Sequence, residues 1–526
     1  MDLKCLNNAI ILLKSINKTH VIIVMLKLFF LTLIIYCNGF SKFINKMGQF
    51  SQNQFFAEKR FKPVNEEKTL QIHHENQIFN KLNHSLYAQI GSNPKYLTNT
   101  SYSWFDGDGM IHAVLFENNK ITYQNKWIQT ERLKYEDKLG KKVYLYLAEF
   151  LDNNGLIDFM IYSLKKYFHL IPSVKGTANT ALLEHKKKLY ALHEGDLPYE
   201  LDIDYNELNI STKGNIDLQD LYSTTAHPIV DWKRKLLYLF SYNNYDFSKG
   251  MFIFNSLDKD LNLITQKNIS LINNGILHSV SFTGDKLIIP DMPLKIDPML
   301  IFKKKLPIHF DKRNGVTRFG ILDVDILEKP EWYYFHDNFY VFHFSDAYEN
   351  DEEYIIYACV IKDPDMESFI HFEKNNPINR ANGVLREIRL NKTTKQGYVV
   401  QNEKLNNIGD LNFLYNIDFP YTSKINKNDI YCSIFNSDNA YMCGVLKINT
   451  HNFKDSHPDI FIFNEGTYGI AEFQSVIIDN IEYLLGFIEE KDKCYISLID
   501  VPKKTIEKIE IPSRIPPGFH SIHYYV

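Results

Sequence analysis

Short runs of apolar and aromatic residues, each closed by a cluster of Asn, Asp, Gly or Lys, follow one another along the chain beyond Thr69. ITYQNKWIQ, KKLYALHE, KLLYLFSY, GMFIFNS, DKLIIPD and FYVFHFS are examples from the first part, and EEYIIYACVIK, DIYCSIFN, AYMCGVLKI, SVIIDN, EYLLGFIEE and CYISLIDV from the second. Runs of this length, rich in Val, Ile, Tyr and Phe and bounded by turn formers, predict hairpin strands. So many strands at close spacing predict an all-β architecture: a sandwich, a barrel or a propeller. No repeat with a fixed signature residue separates these three.

Two stretches break the pattern. Residues 143–171, VYLYLAEFLDNNGLIDFMIYSLKKYFHLI, carry Leu, Phe and Tyr at helical spacing with Lys165 and Lys166 between them, which predicts a pair of helices laid over the strands. From Val21 to Tyr36 the chain is apolar apart from Lys27 and Thr32, with Lys14 and Lys18 upstream. That segment is slightly short for a spanning helix and suits a signal-peptide core, a signal anchor, or sequence translated ahead of a later start at Met47. It sets residues 1–50 apart as an N-terminal hydrophobic segment and leaves 51–526 as one folded domain, since large all-β architectures often form a single unit.

Aromatics make up 14% of the chain, with 33 Tyr and 37 Phe, a load that favours strands over a helical bundle. The formal net charge of −4 leaves no basic excess to neutralise phosphates, which argues against nucleic acid as a partner. The six Cys (Cys5, Cys37, Cys359, Cys432, Cys443 and Cys494) show no CxxC spacing, so neither a thiolate zinc site nor a disulfide scaffold is expected. Cys432 and Cys443 stand symmetrically about an NSDN turn and would face each other across a hairpin, as unpaired thiols in a reducing cytosol.

Candidate chemistry lies in histidine. Of 18 His, four stand in separate strand-like stretches: His227 in STTAHPIVD, His278 in GILHSV, His343 in VFHFSDAYEN and His520 in RIPPGFHSIHYYV. Four neutral imidazoles with no carboxylate or thiolate among them suit a borderline first-row metal, and positions left open on it can bind O2, for which iron(II), Fe(2+), is the natural candidate. Spacing alone does not bring them together, because a scattered His is more often a hydrogen-bonded core or surface residue than a ligand.

The wording around these residues resembles the carotenoid cleavage oxygenase family, which includes the retinal pigment epithelium isomerase and the lignostilbene dioxygenases. Its landmarks run in order: WFDGDGMIHAV, KGTANTALL followed by LYALHEGDLPYELD, TTAHPIVD, HSVSF, TRFGILD, FHFSDAYEN and IPSRIPPGFH, from Trp104 to His520. The resemblance implies a seven-bladed β-propeller with the metal on its axis and a helical cap over the metal-bearing face. Residues 51–526 then read as a carotenoid oxygenase-like propeller domain, with His227, His278, His343 and His520 as the catalytic metal ligands. The family's three Glu fall on Glu194 in LHEGDLPY, Asp418 in NIDFPYTSK and Glu472 in GIAEFQSV, each expected to accept a hydrogen bond from a ligating imidazole. Asp418 is one methylene shorter than the family's Glu, which implies a longer or water-bridged hydrogen bond. Ser279 stands where the family usually has Asp, and Asp346 where it has Asn. DGDGMIH, around Asp106 and Asp108, lacks the closing Glu of a calcium loop and reads as a tight blade turn. His112, His193, His336 and His523 receive no catalytic role.

The activity implied is O2-dependent cleavage of a conjugated C=C bond of a carotenoid or apocarotenoid into two carbonyl products. Two readings from the same family stand beside it: cleavage of a stilbene, with Tyr123 and Lys141 considered as the pair gripping a phenol, and isomerohydrolysis on the same iron without O2. A metal-free, lipid-binding propeller is the reading from another class, and retention of all four His argues against it. The implied partners are an apolar polyene or stilbene, O2 and a membrane surface, since the family segment corresponding to 143–171 dips into the bilayer. The expected location is cytoplasmic or peripheral to a membrane, with a signal or anchor among the readings of residues 1–50.

Overall fold

Every run named above forms a strand, and the strands group into seven blades. The computed structural model describes residue 56 and residues 59–526, apart from 99, 153, 174–175, 219–220, 222, 243–249, 371–382, 407–414 and 438. The apolar segment from Val21 to Tyr36, the start at Met47, Cys5 and Cys37 lie outside the described residues.

The first blade runs Lys68–His73, Lys120–Trp127, Gly109–Glu117, Ser85–Ser92, and its fifth strand is the C-terminal Ser521–Tyr525, with Ala88 opposite Ile522. The last strand thus joins the first blade and closes the ring. Blades two and three span Ala181–His185 to Asn209–Asn215 and Ile229–Asp231 to Leu263–Leu271. Blade four runs from Ser281–Thr283 to Glu331–Phe335, and blade five from Tyr340–Glu349 to Gln396–Val400; their outer strands pair in parallel. Blades six and seven, Tyr415–Thr422 to Asp459–Ile462 and Gln474–Ile478 to Thr505–Ile511, are joined through Thr467–Gly469.

Burial follows position in the blade. The outer strand Leu263–Leu271 alternates exposed and half-buried residues along most of its length, whereas every residue of Glu353–Ile361 is buried. The aromatic load fills the wedges between blades: Tyr87, Val114 and Phe116 of the first interleave with Phe487, Ile496 and Leu498 of the seventh. Tyr87 and Phe487 meet edge to face, centroids 5.2 Å apart at 79°, a contact worth about 0.5–1.5 kcal/mol beyond the area it buries.

The cap is a continuous excursion between blades one and two. A helix spans Glu131–Leu139; Thr130 caps it by accepting the Leu133 N–H at 3.1 Å, and Gly140 ends it at φ +60°. The pair of helices expected over 143–171 resolves into a 3-10 turn, Ala148–Leu151, and one α-helix, Gly155–Tyr167. Asp152, Asn154 and Gly155 interrupt the apolar spacing, which explains why the first half stops after one turn.

DGDGMIH anchors this cap, a larger role than a turn alone. The buried Asp106 carboxylate accepts the backbone N–H of Leu147 at 2.6 Å and of Ala148 at 3.1 Å. Gly109 lets blade one touch the approach to blade two: its N–H donates to Thr177 O at 2.8 Å, and a Cβ there would lie 2.1 Å from Ala178 O.

Cys432 pairs in register with Leu446, not with Cys443, which sits at a register shift in the neighbouring strand. The face-to-face expectation therefore fails, while the expectation of unpaired thiols holds: Cys359, Cys432, Cys443 and Cys494 are all free.

Candidate metal centre

All seven blades contribute to one point on the axis. His227, His278 and His520 sit just ahead of the innermost strands Ile229–Asp231, Ser281–Thr283 and Ser521–Tyr525, and His343 lies within Tyr340–Glu349. These belong to blades three, four, one and five. Blades two, six and seven supply Glu194, Asp418 and Glu472. One ring nitrogen from each of the four His lies within 4.8 Å of all the others.

The nitrogens that face inward are Nε2. Nε2 of His278 is 2.9 Å from that of His227 and 3.1 Å from that of His343. The outward nitrogens meet carboxylates: His278 Nδ1 pairs with Glu194, His343 Nδ1 with Asp418 at 2.8 Å, and His520 Nδ1 with Glu472 at 3.1 Å. Donating Nδ1–H to a carboxylate leaves the lone pair on Nε2. No carboxylate meets the His227 ring among the described residues; its backbone N–H bonds Thr225 Oγ1 at 2.8 Å.

Asp418 reaches His343 directly, without the longer or water-bridged bond expected of a shorter side chain. The backbone makes up the missing methylene. A register shift opens between Asp418 and Tyr421, and Phe419 adopts φ +51°, a strained value for an aromatic residue. The Phe419 N–H also donates to Asp418 Oδ1 at 2.9 Å, fixing the carboxylate's direction.

The electrostatics favour a cation at the centre. Burial and the three neighbouring imidazoles hold His227 well below its ordinary pKa, and burial lowers His343 despite Asp418. Burial opposes charge on His278 as well, but the Glu194 carboxylate overrides it and the pKa ends raised. Burial pushes Glu194 and Asp418 up, and their His partners more than compensate, so both stay below the usual carboxylate range. Lone pairs facing each other at 2.9 and 3.1 Å repel unless a positive ion or proton lies between them. Two nitrogens held about 2.1 Å from one ion are about 3.0 Å apart when they subtend roughly a right angle. The observed spacings match that arrangement, which leaves coordination positions open for other ligands, and the donor set fits a first-row metal.

On one side the imidazoles of His278, His343 and His520 open on a cavity of about 390 Å³, walled mainly by apolar and aromatic side chains, among them Phe105, Leu147, Ile276, Phe342, Phe435 and Phe519. Leu147 is the residue whose backbone Asp106 holds, so the cap anchor also shapes this wall. A second space of about 280 Å³, touching Pro228, Ser279, Pro420 and Ser521, meets the same centre.

The departures at positions 279 and 346 are absorbed locally. Ser279 Oγ donates to Phe342 O, tying the His278 segment to the His343 strand, and Asp346 accepts its own neighbour's N–H, from Ala347, at 2.8 Å. Tyr123 and Lys141 do not form a grip on the cavity. Tyr123 is fully buried in blade one with its hydroxyl 2.9 Å from His112 Nδ1, and Lys141 is exposed. His523 meets Ser85 Oγ at 3.0 Å and His336 is exposed, both away from the centre. His193, set aside on sequence grounds, lines the cavity.

A ring of blades that brings four imidazoles together and backs three of them with carboxylates is a metalloenzyme centre carried on a propeller. The chain belongs to the retinal pigment epithelial membrane protein family, whose model matches residues 61–525. It is 27% identical over 464 residues to the carotenoid 9,10(9',10')-cleavage dioxygenase 1 of Arabidopsis thaliana, covering 83% of each chain. Among solved structures it resembles the Pseudomonas brassicacearum lignostilbene dioxygenase (TM-score 0.71, 16% identity, 90% of this chain and 99% of that one). It also resembles a cobalt-substituted Synechocystis apocarotenoid oxygenase (TM-score 0.68, 16% identity, 88% of this chain and 97% of that one).

Proposed function

We propose that this protein is a non-haem iron(II) dioxygenase that cleaves a conjugated C=C bond of a carotenoid or apocarotenoid with O2, giving two carbonyl products that each take one oxygen atom. The observation that carries this reading is the opening of a neutral, four-imidazole centre directly onto an apolar cavity of about 390 Å³. Iron(II) held by His227, His278, His343 and His520 would supply the activation of O2. Glu194, Asp418 and Glu472 keep the rings aimed and their Nε2 lone pairs free. The aromatic wall excludes water and seats a flat, uncharged chain against the centre. No side-chain nucleophile is required, because both product oxygens come from O2. Relatives named carotenoid cleavage dioxygenases and a 9-cis-epoxycarotenoid dioxygenase support the substrate class. Incubating the iron-loaded enzyme under 18O2 with a panel of carotenoids, apocarotenals and stilbenes tests it: labelled carbonyl pairs from a polyene are expected. Cleavage of stilbenes alone would replace the substrate class.

Such substrates reside in bilayers, and we propose that the cap side docks on one. No helix among the described residues is long and apolar enough to cross a membrane. Leu151, Leu156, Phe159 and Phe168 in this stretch are half-buried, Phe159 against Phe150. The exposed apolar residues are instead Met160, Tyr167 and Leu170, together with Met299 and Phe302 on the 3-10 segment Pro298–Lys303 that packs beside the Gly155–Tyr167 helix. Lys303, Lys304 and Lys305 rim that segment and are exposed. Apolar side chains ringed by lysine suit an interfacial contact. The chain from Met47 onward is expected to sediment with liposomes, and Ser at Met160, Tyr167, Met299 and Phe302 to leave it in the supernatant with iron still bound. If the chain from Met47 never sediments, this surface is not the attachment.

A further inference from the structure

The structure sets His193 on the cavity wall, one residue before Glu194. Its Nδ1 accepts the Gly195 N–H at 3.0 Å. A nitrogen that accepts carries no proton, so the neutral ring bears its hydrogen on Nε2. Burial holds the ring neutral, lowering its pKa against the pull of Glu194 and Asp196. Nε2 has no hydrogen-bond partner among the described residues, and the ring that carries it lines the cavity. An unpaired N–H thus belongs to a cavity-lining side chain.

Of the other polar groups on that wall, Asp106 accepts from Leu147, Ala148 and Ser103, and Asn179 donates to Ser92 and Gly107. Asn416 accepts the Gly383 N–H through Oδ1, while its Nδ2 has no partner among the described residues. The cavity wall taken as a whole is mainly hydrocarbon and aromatic ring. A pure hydrocarbon bound there would strip water from Nε2–H and give no acceptor in return, whereas an oxygen on the ligand would restore the hydrogen bond. A site built this way discriminates between a ligand that carries the acceptor and one that lacks it.

Resting on the reading of this centre as an alkene-cleaving one, we propose that His193 Nε2–H donates a hydrogen bond to an oxygen atom of the substrate. The substrate is then an oxygenated alkene, bearing a hydroxyl, ether or carbonyl group, and not a bare hydrocarbon polyene. His193 sets the register of the chain in the cavity, and with it which double bond lies at the imidazoles; it takes no part in the bond changes.

The test uses the full-length, iron-loaded protein with two probes: an apocarotenol and the hydrocarbon of the same polyene length that lacks its hydroxyl. Binding is followed by quenching of tryptophan fluorescence, Trp104 being on the cavity wall, and cleavage by the release of carbonyl products. The wild type is expected to bind the apocarotenol roughly 10- to 100-fold more tightly than the hydrocarbon. His193→Phe, which keeps a ring and removes the donor, is expected to erase that preference by weakening the apocarotenol alone. His193→Gln, which keeps an N–H, retains part of it. Equal affinity of the wild type for both probes overturns the proposal without needing any variant, and so does a variant that weakens both probes equally. Preferential binding without cleavage would defeat the dioxygenase reading and leave the role of His193 standing; cleavage without preference would do the reverse.

Discussion

Ala in place of His227, His278, His343 or His520 is expected to abolish alkene cleavage and to lower bound iron from about one ion per chain to a small fraction of that. The four imidazoles are neutral donors, so no anionic ligand among them holds the ion by charge once a ring is gone. His227 provides the sharpest case. No carboxylate orients it among the described residues, yet its ring lies 4.5 Å from those of both His278 and His520. His336→Ala, on a ring free in solvent, is the matched control and should change neither iron content nor rate. Metal analysis and turnover on each purified variant decide the point: wild-type iron and activity in any of the four would remove that residue from the ligand set.

The strands were legible because each is a short apolar run with its own turn chemistry, information that lies within about ten residues. The ring was not. Blade number depends on which outer strands pair, such as Glu331–Phe335 with Gln396–Val400, and no local signal marks that choice; resemblance supplied it. The four His and three carboxylates were found through the words around them, and the contacts His278–Glu194, His343–Asp418 and His520–Glu472 join blades far apart in sequence. The geometry at Asp418 was misjudged because the compensating bulge and the positive φ at Phe419 are backbone features that residue type does not reveal. The Glu131–Leu139 helix carried a readable start and stop in Thr130 and Gly140 and was still passed over, its polar face giving little apolar periodicity. His193 was passed over for a different reason: a free donor on a cavity wall exists only once the wall does.

Glu194→Gln is expected to weaken iron retention and turnover by roughly 10- to 100-fold while leaving the fold intact. Gln keeps the shape of Glu194 and can still accept from His278 Nδ1, so what it removes is the negative charge that makes the imidazole a stronger donor to the metal. That charge dominates locally, since Glu194, with a smaller contribution from Asp418, lifts His278 above its ordinary pKa against the effect of burial. Asp418→Glu should also be harmful, by an opposite route. The direct 2.8 Å contact to His343 already uses the bulged backbone to close the gap, and an added methylene must displace either the ring or Phe419. A water-bridged carboxylate would instead tolerate or welcome the longer side chain. The rate of iron loss to a chelator, measured beside the melting temperature of each variant, separates the cases. Faster loss at unchanged melting temperature is expected for Glu194→Gln, and faster loss with some destabilisation for Asp418→Glu. Wild-type retention in Glu194→Gln would show that the carboxylate does not tune the metal, and wild-type retention in Asp418→Glu would show that the bulge is not matched to the shorter acid.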